Sequence, residues 1–526
     1  MPPLHALAFV LAATATAFAL AARQAWLNSG IGSDTPVHAF LISALRKSRL
    51  RFFTRIPGLL NEVHCAALPL YLHWIFALLP NTAMAPASRL LNPVVNAMHV
   101  LLVATVALFA FGTGQERLEL AVTTAWLFAL TPQFYHALSA RNFGLSARGL
   151  GLIQLTAFLF GALLAESTGS PWAWALLGIA AYLVWAFSTF GAQSMVILSL
   201  LLLCLGHWPP VCGAFLGLAI FIAAHPRYSL SYLKHTLAFI HTYAVDLAPV
   251  YTLAKRFSLW RDLVWDIWLR IARDPRAGIR YAYENSLLIV ILLNPLLIVA
   301  VGMRIFLAEQ DNAAIAFAAD VALCGVAATL ATSFRATRFL GEPERYAEAT
   351  APWGAICGAA YLTAQFGAKG VLFAAALFVV LDILQLGASH IFQRHMAKKP
   401  LGLDSVRTAI ARATSAGIRL SGNNEQLTKR LLTSDWEFVY CMAVERNYCG
   451  IPLSEAFTEY PFVQRAALQR ITEQYRINTC ILDRNQYDTL FDEPPGSLLA
   501  SRVIYESDEL RVLFLDWSAN FDTPSA

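Results

Sequence analysis

Charge is scarce in this chain. Asp, Glu, Lys and Arg make up 14% of its 526 residues, while hydrophobic types reach 57%. A soluble globular protein carries about a quarter charged residues, so that class is excluded for the chain as a whole. Other signatures are missing too. The eight cysteines include no Cys-x-x-Cys pair, which argues against a zinc site. No segment resembles a nucleic-acid-binding module, so no nucleic-acid partner is expected. No short-period repeat or low-complexity tract is present. The first apolar stretch follows only Met1-Pro2-Pro3-Leu4-His5, without a basic n-region, so it reads as a retained helix and not a cleaved signal peptide.

Apolar runs long enough to cross ~30 Å of hydrocarbon recur instead. They lie near 4–22, 64–79, 91–112, 118–136, 149–166, 171–187, 189–206, 209–224, 286–306, 313–334, 350–367 and 369–388. A thirteenth could lie in the amphipathic stretch Tyr228 to Ala254. The expected architecture is an all-α polytopic membrane bundle of 12–13 transmembrane helices, since open sheets cannot satisfy their backbone groups in lipid. A small C-terminal α/β soluble domain follows. The membrane part covers 1–392, with long loops at 23–63 and 225–285, and the tail covers 400–526.

In the tail, Trp436 to Met442, Asn478 to Leu482, Val503 to Tyr505 and Leu510 to Leu515 read as strands, and Phe462 to Tyr475 has helical spacing. It holds no glycine-rich phosphate loop and no nucleophile elbow, so recognition is expected of it and not chemistry. A disulfide among Cys441, Cys449 and Cys480 stays open.

Charge also divides the chain. Residues 1–399 hold 27 Lys/Arg against 17 Asp/Glu, net +10, and residues 400–526 hold 12 against 17, net −5. The basic excess therefore belongs to membrane loops, where it suits anionic headgroups or phosphorylated substrates. Loop charge places the N-terminus in the cytoplasm. The basic first loop is then an exception, of the kind expected where arginines bind an anionic ligand.

Polar groups at the membrane need a reason, because charge near hydrocarbon is costly. The first polar interruption, Gly32-Ser33-Asp34-Thr35-Pro36-Val37-His38, puts a carboxylate and an imidazole one helical turn apart. Asp34 could simply cap the helix begun by Pro36. A cap does not explain His38, nor the basic residues Arg46, Lys47, Arg49, Arg51 and Arg55 that follow. Arg141 and Arg148 flank the fifth span, where such residues usually anchor the helix. Arg345 sits in Gly341-Glu342-Pro343-Glu344-Arg345-Tyr346, able to bind phosphate bidentately or to pair with Glu342 or Glu348. Asp320 and Asp382 lie inside apolar spans. His73, His99 and His241 lack metal-ligand spacing and read as packed or interfacial.

Taken together, an opening helix, the Gly-Ser-Asp-Thr-x-x-His element, Pro69-Leu70-Tyr71-Leu72-His73-Trp74, many apolar spans and the late Gly-Glu-x-x-Arg-Tyr element resemble GT-C-type polytopic membrane glycosyltransferases, an uncharacterised bacterial branch. The resemblance implies a multi-pass plasma (bacterial inner) membrane enzyme of cell-envelope assembly. It would move a sugar from a polyprenyl-phosphate-linked donor to an extracytoplasmic saccharide, lipid or protein acceptor. It implies Asp34 as the catalytic base or a ligand of a divalent cation, and His38, Arg46, Arg141, Glu344, Arg345 and Tyr346 as substrate-binding residues. Glu62 is the other acid of the first loop and matches no motif, which leaves a metal open. Twelve spans put Arg345 on the face opposite Asp34, and a thirteenth within 228–254 would bring the two together.

Two other classes compete. A polytopic transporter would use Asp320 and Asp382 as coupling sites, although related halves and broken midplane helices are not evident. A non-catalytic envelope-assembly scaffold would need neither set.

Overall fold

The computed structural model describes residues 2–27, 35–54, 69–110, 115–136, 139, 141, 145–242, 267–275, 278, 286–306, 312–334, 337, 340–396, 420–422, 479–483, 501–506 and 510–515. Helices dominate, because long apolar runs can satisfy their backbone groups only internally. In chain order they are α1 (Pro3–Leu27), α2 (Thr35–Lys47), α3 (Tyr71–Ala77), α4 (Asn81–Ala110), α5 (Gln115–Ala129), α6 (Arg148–Thr168), α7 (Pro171–Phe187) and α8 (Thr189–Cys204). There follow α9 (Pro209–Ala224), α10 (Pro226–Thr242), α11 (Ile267–Arg273), α12 (Ser286–Leu293), α13 (Pro295–Phe306), α14 (Ala313–Thr332) and α15 (Glu344–Met396). Among the described residues, five helices are long and apolar enough to cross a membrane: Pro3–Trp26, Thr82–Phe109, Arg148–Thr168, Ala313–Thr332 and Glu344–His390. Four shorter helices, α7, α8, α9 and α13, are also apolar. Large apolar side chains such as Leu7, Phe9, Phe215, Phe373 and Ile383 face outward, an exterior suited to lipid and not to water.

Glycine marks two places where the backbone turns. At Gly367 φ is 58° and ψ −154°, a conformation reserved for glycine, and it divides α15 into two membrane-length halves. The expected spans 350–367 and 369–388 are these halves. Gly341, at φ +93°, opens the Gly-Glu-x-x-Arg-Tyr element.

Two expected spans differ. Of the stretch 64–79 the described residues begin at Pro69, and they form the seven-residue α3, about 10 Å long, followed by Pro80. A helix of that length does not span ~30 Å of hydrocarbon. Its apolar residues Leu70, Leu72 and Phe76 are instead buried against α2 with Leu41, Ile42 and Leu45. The stretch 286–306 is two helices and not one, interrupted at Asn294 before Pro295. A broken apolar helix is therefore present after all, where proline removes a backbone donor.

The turns sort to two ends of the bundle. At the far end, the α6–α7 turn and the α8–α9 loop meet, because His207 hydrogen-bonds Glu166. At the near end, Tyr232 of α10 donates to Thr189 at the start of α8 at 3.0 Å. Gln193, in the first turns of α8, donates to the Leu340 carbonyl at 2.6 Å, so the α14–α15 connection is also near. The backbone N–H of Leu70 donates to the Tyr228 hydroxyl at 2.7 Å, and Tyr182, late in α7, donates to the Tyr71 hydroxyl at 3.2 Å. These contacts seat α2 and α3 at the near end too. Because α3 does not cross, the first loop and the Gly341 element share an end without any thirteenth span. Residues 243–266 lie outside the described residues.

In the tail, β1 (Leu420–Gly422), β2 (Thr479–Asp483), β3 (Ser501–Glu506) and β4 (Leu510–Leu515) form one sheet in the order β1-β2-β4-β3. β1 pairs parallel with β2, while β2–β4 and β3–β4 are antiparallel. β1 was not among the expected strands. The strand expected over 436–442 and the helix over 462–475 lie outside the described residues, as do Cys441 and Cys449.

Candidate functional site

Arg141 is the centre of the near end. It sits in the connection between α5 and α6, is 1% exposed, and is therefore not a surface anchor. One terminal nitrogen donates to Asn96 Oδ1 at 2.5 Å and the other to His99 Nδ1 at 2.8 Å. His99 Nε2 lies 2.8 Å from Thr156 Oγ1, whose own hydrogen goes to the Leu152 carbonyl at 3.1 Å. His99 is thus the Nε2–H tautomer, and its Nδ1 lone pair accepts from the guanidinium. The guanidinium also lies 3.8 Å from the Phe134 ring centroid. Burial pushes the Arg141 pKa down to about 10, partly offset by the Glu348 carboxylate, so the group stays cationic at neutral pH. Its Nε has no hydrogen-bond partner among the described residues.

α15 brings the acids. Glu344 and Glu348 are one turn apart and both buried, at 3% and 1%. Arg345, 5% exposed, forms an ion pair with Glu342, one of the two acids expected to pair with it, and lies 5.4 Å from the Phe190 ring centroid. Tyr346 is fully buried and donates to the Leu340 carbonyl at 2.8 Å, while Gln193 donates to Tyr346 Oη at 3.0 Å. Gln133, from the 3-10 turn Pro132–Tyr135, donates to the Glu344 carbonyl at 2.9 Å. With Thr329 of α14 lying 3.2 Å from the Pro343 carbonyl, the element is held by side chains from α8, α14 and the 3-10 turn.

Beside it, α2 and α3 carry a histidine pair. His38 Nδ1 and His73 Nε2 are 2.8 Å apart, and His73 Nδ1 is 3.1 Å from the Pro69 carbonyl. Burial, with His38 beside it, holds the His73 pKa well below the usual imidazole range. Arg46 closes the end of α3, donating to the Ala77 carbonyl at 3.0 Å and also to that of Leu79. Asp34, Arg55 and Glu62 lie outside the described residues. Among the described residues, no group of three or more His, Cys, Asp or Glu side chains is arranged to hold a metal ion.

The two intramembrane acids part company. At the far end, Asp320 takes an ion pair from Arg304 and lies 3.1 Å from His207 Nε2, whose Nδ1 is 2.8 Å from Glu166. Asp382 is 3% exposed, and neither of its oxygens has a hydrogen-bond partner among the described residues.

Sequence reasoning placed Arg141, Glu344, Arg345, Tyr346 and His38 near substrate, and the fold gathers all five at one end. It read His73 and His99 as packed or interfacial and passed over Asn96 and Gln193. A signal existed for two of them: Asn92, Asn96 and His99 repeat at helical spacing inside an otherwise apolar span.

No known family model matches the chain. No curated protein matches it either. Among solved structures, the chain is similar to the crystal structure of ArnT from Cupriavidus metallidurans bound to undecaprenyl phosphate, at 11% identity and a TM-score of 0.39, over 98% of this chain and 99% of that one. That likeness is too low to transfer a role to any residue.

Proposed function

We propose that the protein transfers a sugar from a polyprenyl-phosphate-linked donor to an extracytoplasmic acceptor. One observation carries the reading. The start of α2 and the Gly341–Tyr346 element, which a simple count of apolar spans sends to opposite faces, occupy the same end with two buried arginines. In this reading Asp34 acts as base on the acceptor hydroxyl. Arg345 and Arg141 stabilise the phosphate as charge develops on it during departure, an effect strengthened where water is excluded. Glu344 and Tyr346 shape the pocket, and Arg46 supports it by fixing α3. A divalent cation, if one takes part, would be drawn to the acids of the first loop.

The reading is tested by reconstituting the protein in liposomes with a polyprenyl-phosphate sugar and an acceptor. Transfer by the wild type, abolished in Asp34→Asn and retained in Asp320→Asn, supports it. Asp382, without a hydrogen-bond partner among the described residues, and the break at Asn294 favour the transporter as second reading. Substrate flux across the same liposomes, lost in Asp382→Asn while Asp34→Asn is active, would replace the first reading with the second.

A further inference from the structure

Residues 35–54 and 226–242 contain six Lys or Arg and no Asp or Glu. Five of the six, Lys47, Arg49, Arg51, Arg227 and Lys234, are exposed. The fold joins the two segments at the near end. The Phe52 ring, just past α2, lies 4.9 Å from the His225 ring and 5.1 Å from that of Tyr228 in the first turn of α10. The turn that delivers Phe52 is strained. Arg49 and Leu50 are both left-handed, at φ 52° and 62°, where a side chain crowds the backbone. Leu50 packs against the cluster that holds Tyr228 and Tyr232, which keeps the turn in that shape. Arg49 and Arg51 are thereby held outward beside the start of α10.

α10 has two faces. Its inward face carries Tyr228 and Tyr232, whose rings lie 6.3 and 5.8 Å from that of Phe221 in the last turn of α9. The Tyr232 hydroxyl also reaches Thr189, the first residue of α8. Two residues one turn apart that meet the end of α9 and the start of α8 belong to a helix crossing the helix ends, not running back along α9. The outward face carries Arg227, Leu230, Lys234 and Leu237, spaced by three, four and three residues, so they form one stripe. Leu230 and Leu237 are 56% and 68% exposed. Among the described residues, α10 is not one of the helices apolar enough to cross a membrane. It begins two residues after α9, which turns Phe215, Leu216 and Ile220 outward. Where a lipid-facing helix ends, hydrocarbon gives way to headgroups, and an amphipathic helix with cations among its exposed leucines lies in that plane.

We propose that α10 is an interfacial helix that binds anionic phospholipid headgroups of the leaflet at the near end, the basic tail of α2 completing the headgroup site. Leu230 and Leu237 enter the acyl boundary, while Arg227 and Lys234 extend to the phosphates. Arg49 and Arg51 meet the same headgroups from the side of Phe52. Neither segment supplies a carboxylate to neutralise the band, so it selects anionic over zwitterionic lipid. It does so whichever reaction the protein carries out.

The test uses the full-length protein in nanodiscs of phosphatidylcholine, with and without phosphatidylglycerol. Nitroxides at Leu230→Cys and Leu237→Cys, in a cysteine-free background, report depth. With phosphatidylglycerol present, both should be reached more readily by oxygen than by a water-soluble nickel chelate. Free access of the chelate to both positions in both bilayers overturns the proposal and gives the stripe to a soluble partner. Native mass spectrometry of protein released from the mixed bilayers reads selectivity. The wild type should retain phosphatidylglycerol over phosphatidylcholine by about 10-fold or more, and Arg227→Gln/Lys234→Gln should remove most of that preference at unchanged thermal midpoint. The charge-preserving Arg227→Lys/Lys234→Arg should keep it. Equal retention of the two lipids by the wild type, or an unchanged preference in the Gln variant, overturns the proposal. So does binding of inorganic polyphosphate that phosphatidylglycerol fails to displace. An unchanged preference in Arg49→Gln/Arg51→Gln overturns the part given to the α2 tail.

Discussion

The two ends of the bundle treat charge differently. At the far end, His207 bridges Glu166 and Asp320, and Arg304 pairs with Asp320, so opposite charges close on one another at a partly exposed rim. At the near end, Arg141 is wholly buried and leans on neutral partners, Asn96 and His99, while Glu344 and Glu348 crowd the same interior. The far end looks built to join helices. The near end keeps charge where keeping it is expensive, and in the proposed reading that expense serves the bound phosphate.

The comparison is broken most severely at Arg141. Arg141→Leu leaves Asn96 Oδ1 and His99 Nδ1 buried without their donor and removes one of the two guanidiniums acting on Glu348, so a loss of about 2–6 kcal/mol is expected. It would appear as a large fall in thermal midpoint and in yield of folded protein from detergent. Arg304→Leu, at the partly exposed rim, should cost much less in the same measurement. Next in size is Asp34→Asn, expected to reduce transfer by about 10²–10⁴-fold with little change in midpoint. A smaller effect is expected at Gly325. A side chain there would collide with Thr350 of α15, so Gly325→Val should separate α14 from α15 and lower the midpoint while leaving the near-end histidines in place.

The smallest effect separates the ends by pH. The His207 pKa is raised, chiefly by its hydrogen bond to Asp320 and further by Glu166. A histidine with a folded pKa above the unfolded value of about 6.5 contributes full stability below that pH and loses it as pH rises through the folded value. The contribution at this partly exposed rim is about 1 kcal/mol or less. The midpoint difference between wild type and His207→Gln should therefore shrink from pH 6 towards pH 9. A difference that grows over this range would show that His207 is neutral between its carboxylates.

Much of this architecture could be read from residue order, and the failures have physical causes. Apolar composition located the helices that cross the bundle. It also nominated 64–79, because a short buried helix and a membrane span share the same residue types, and only the prolines at 69 and 80 betray the length. The Gly341–Tyr346 element was visible as a motif, since glycine, acids and arginine stand out among apolar neighbours. Arg141 looked like an anchor because its partners Asn96 and His99 come from α4, far away in sequence. The His38–His73 pair was hidden for the same reason: each histidine alone is an ordinary polar residue, and the hydrogen bond between them spans 35 positions.

The central claim is that α2 and the α14–α15 connection open to one side of the membrane. Single cysteines placed at Arg49, Phe334 and Thr168 in a cysteine-free background, labelled in intact cells with a membrane-impermeant maleimide, test it most directly. The account predicts that positions 49 and 334 label from the same compartment and position 168 from the opposite one. Labelling of 49 and 334 from opposite compartments would contradict it.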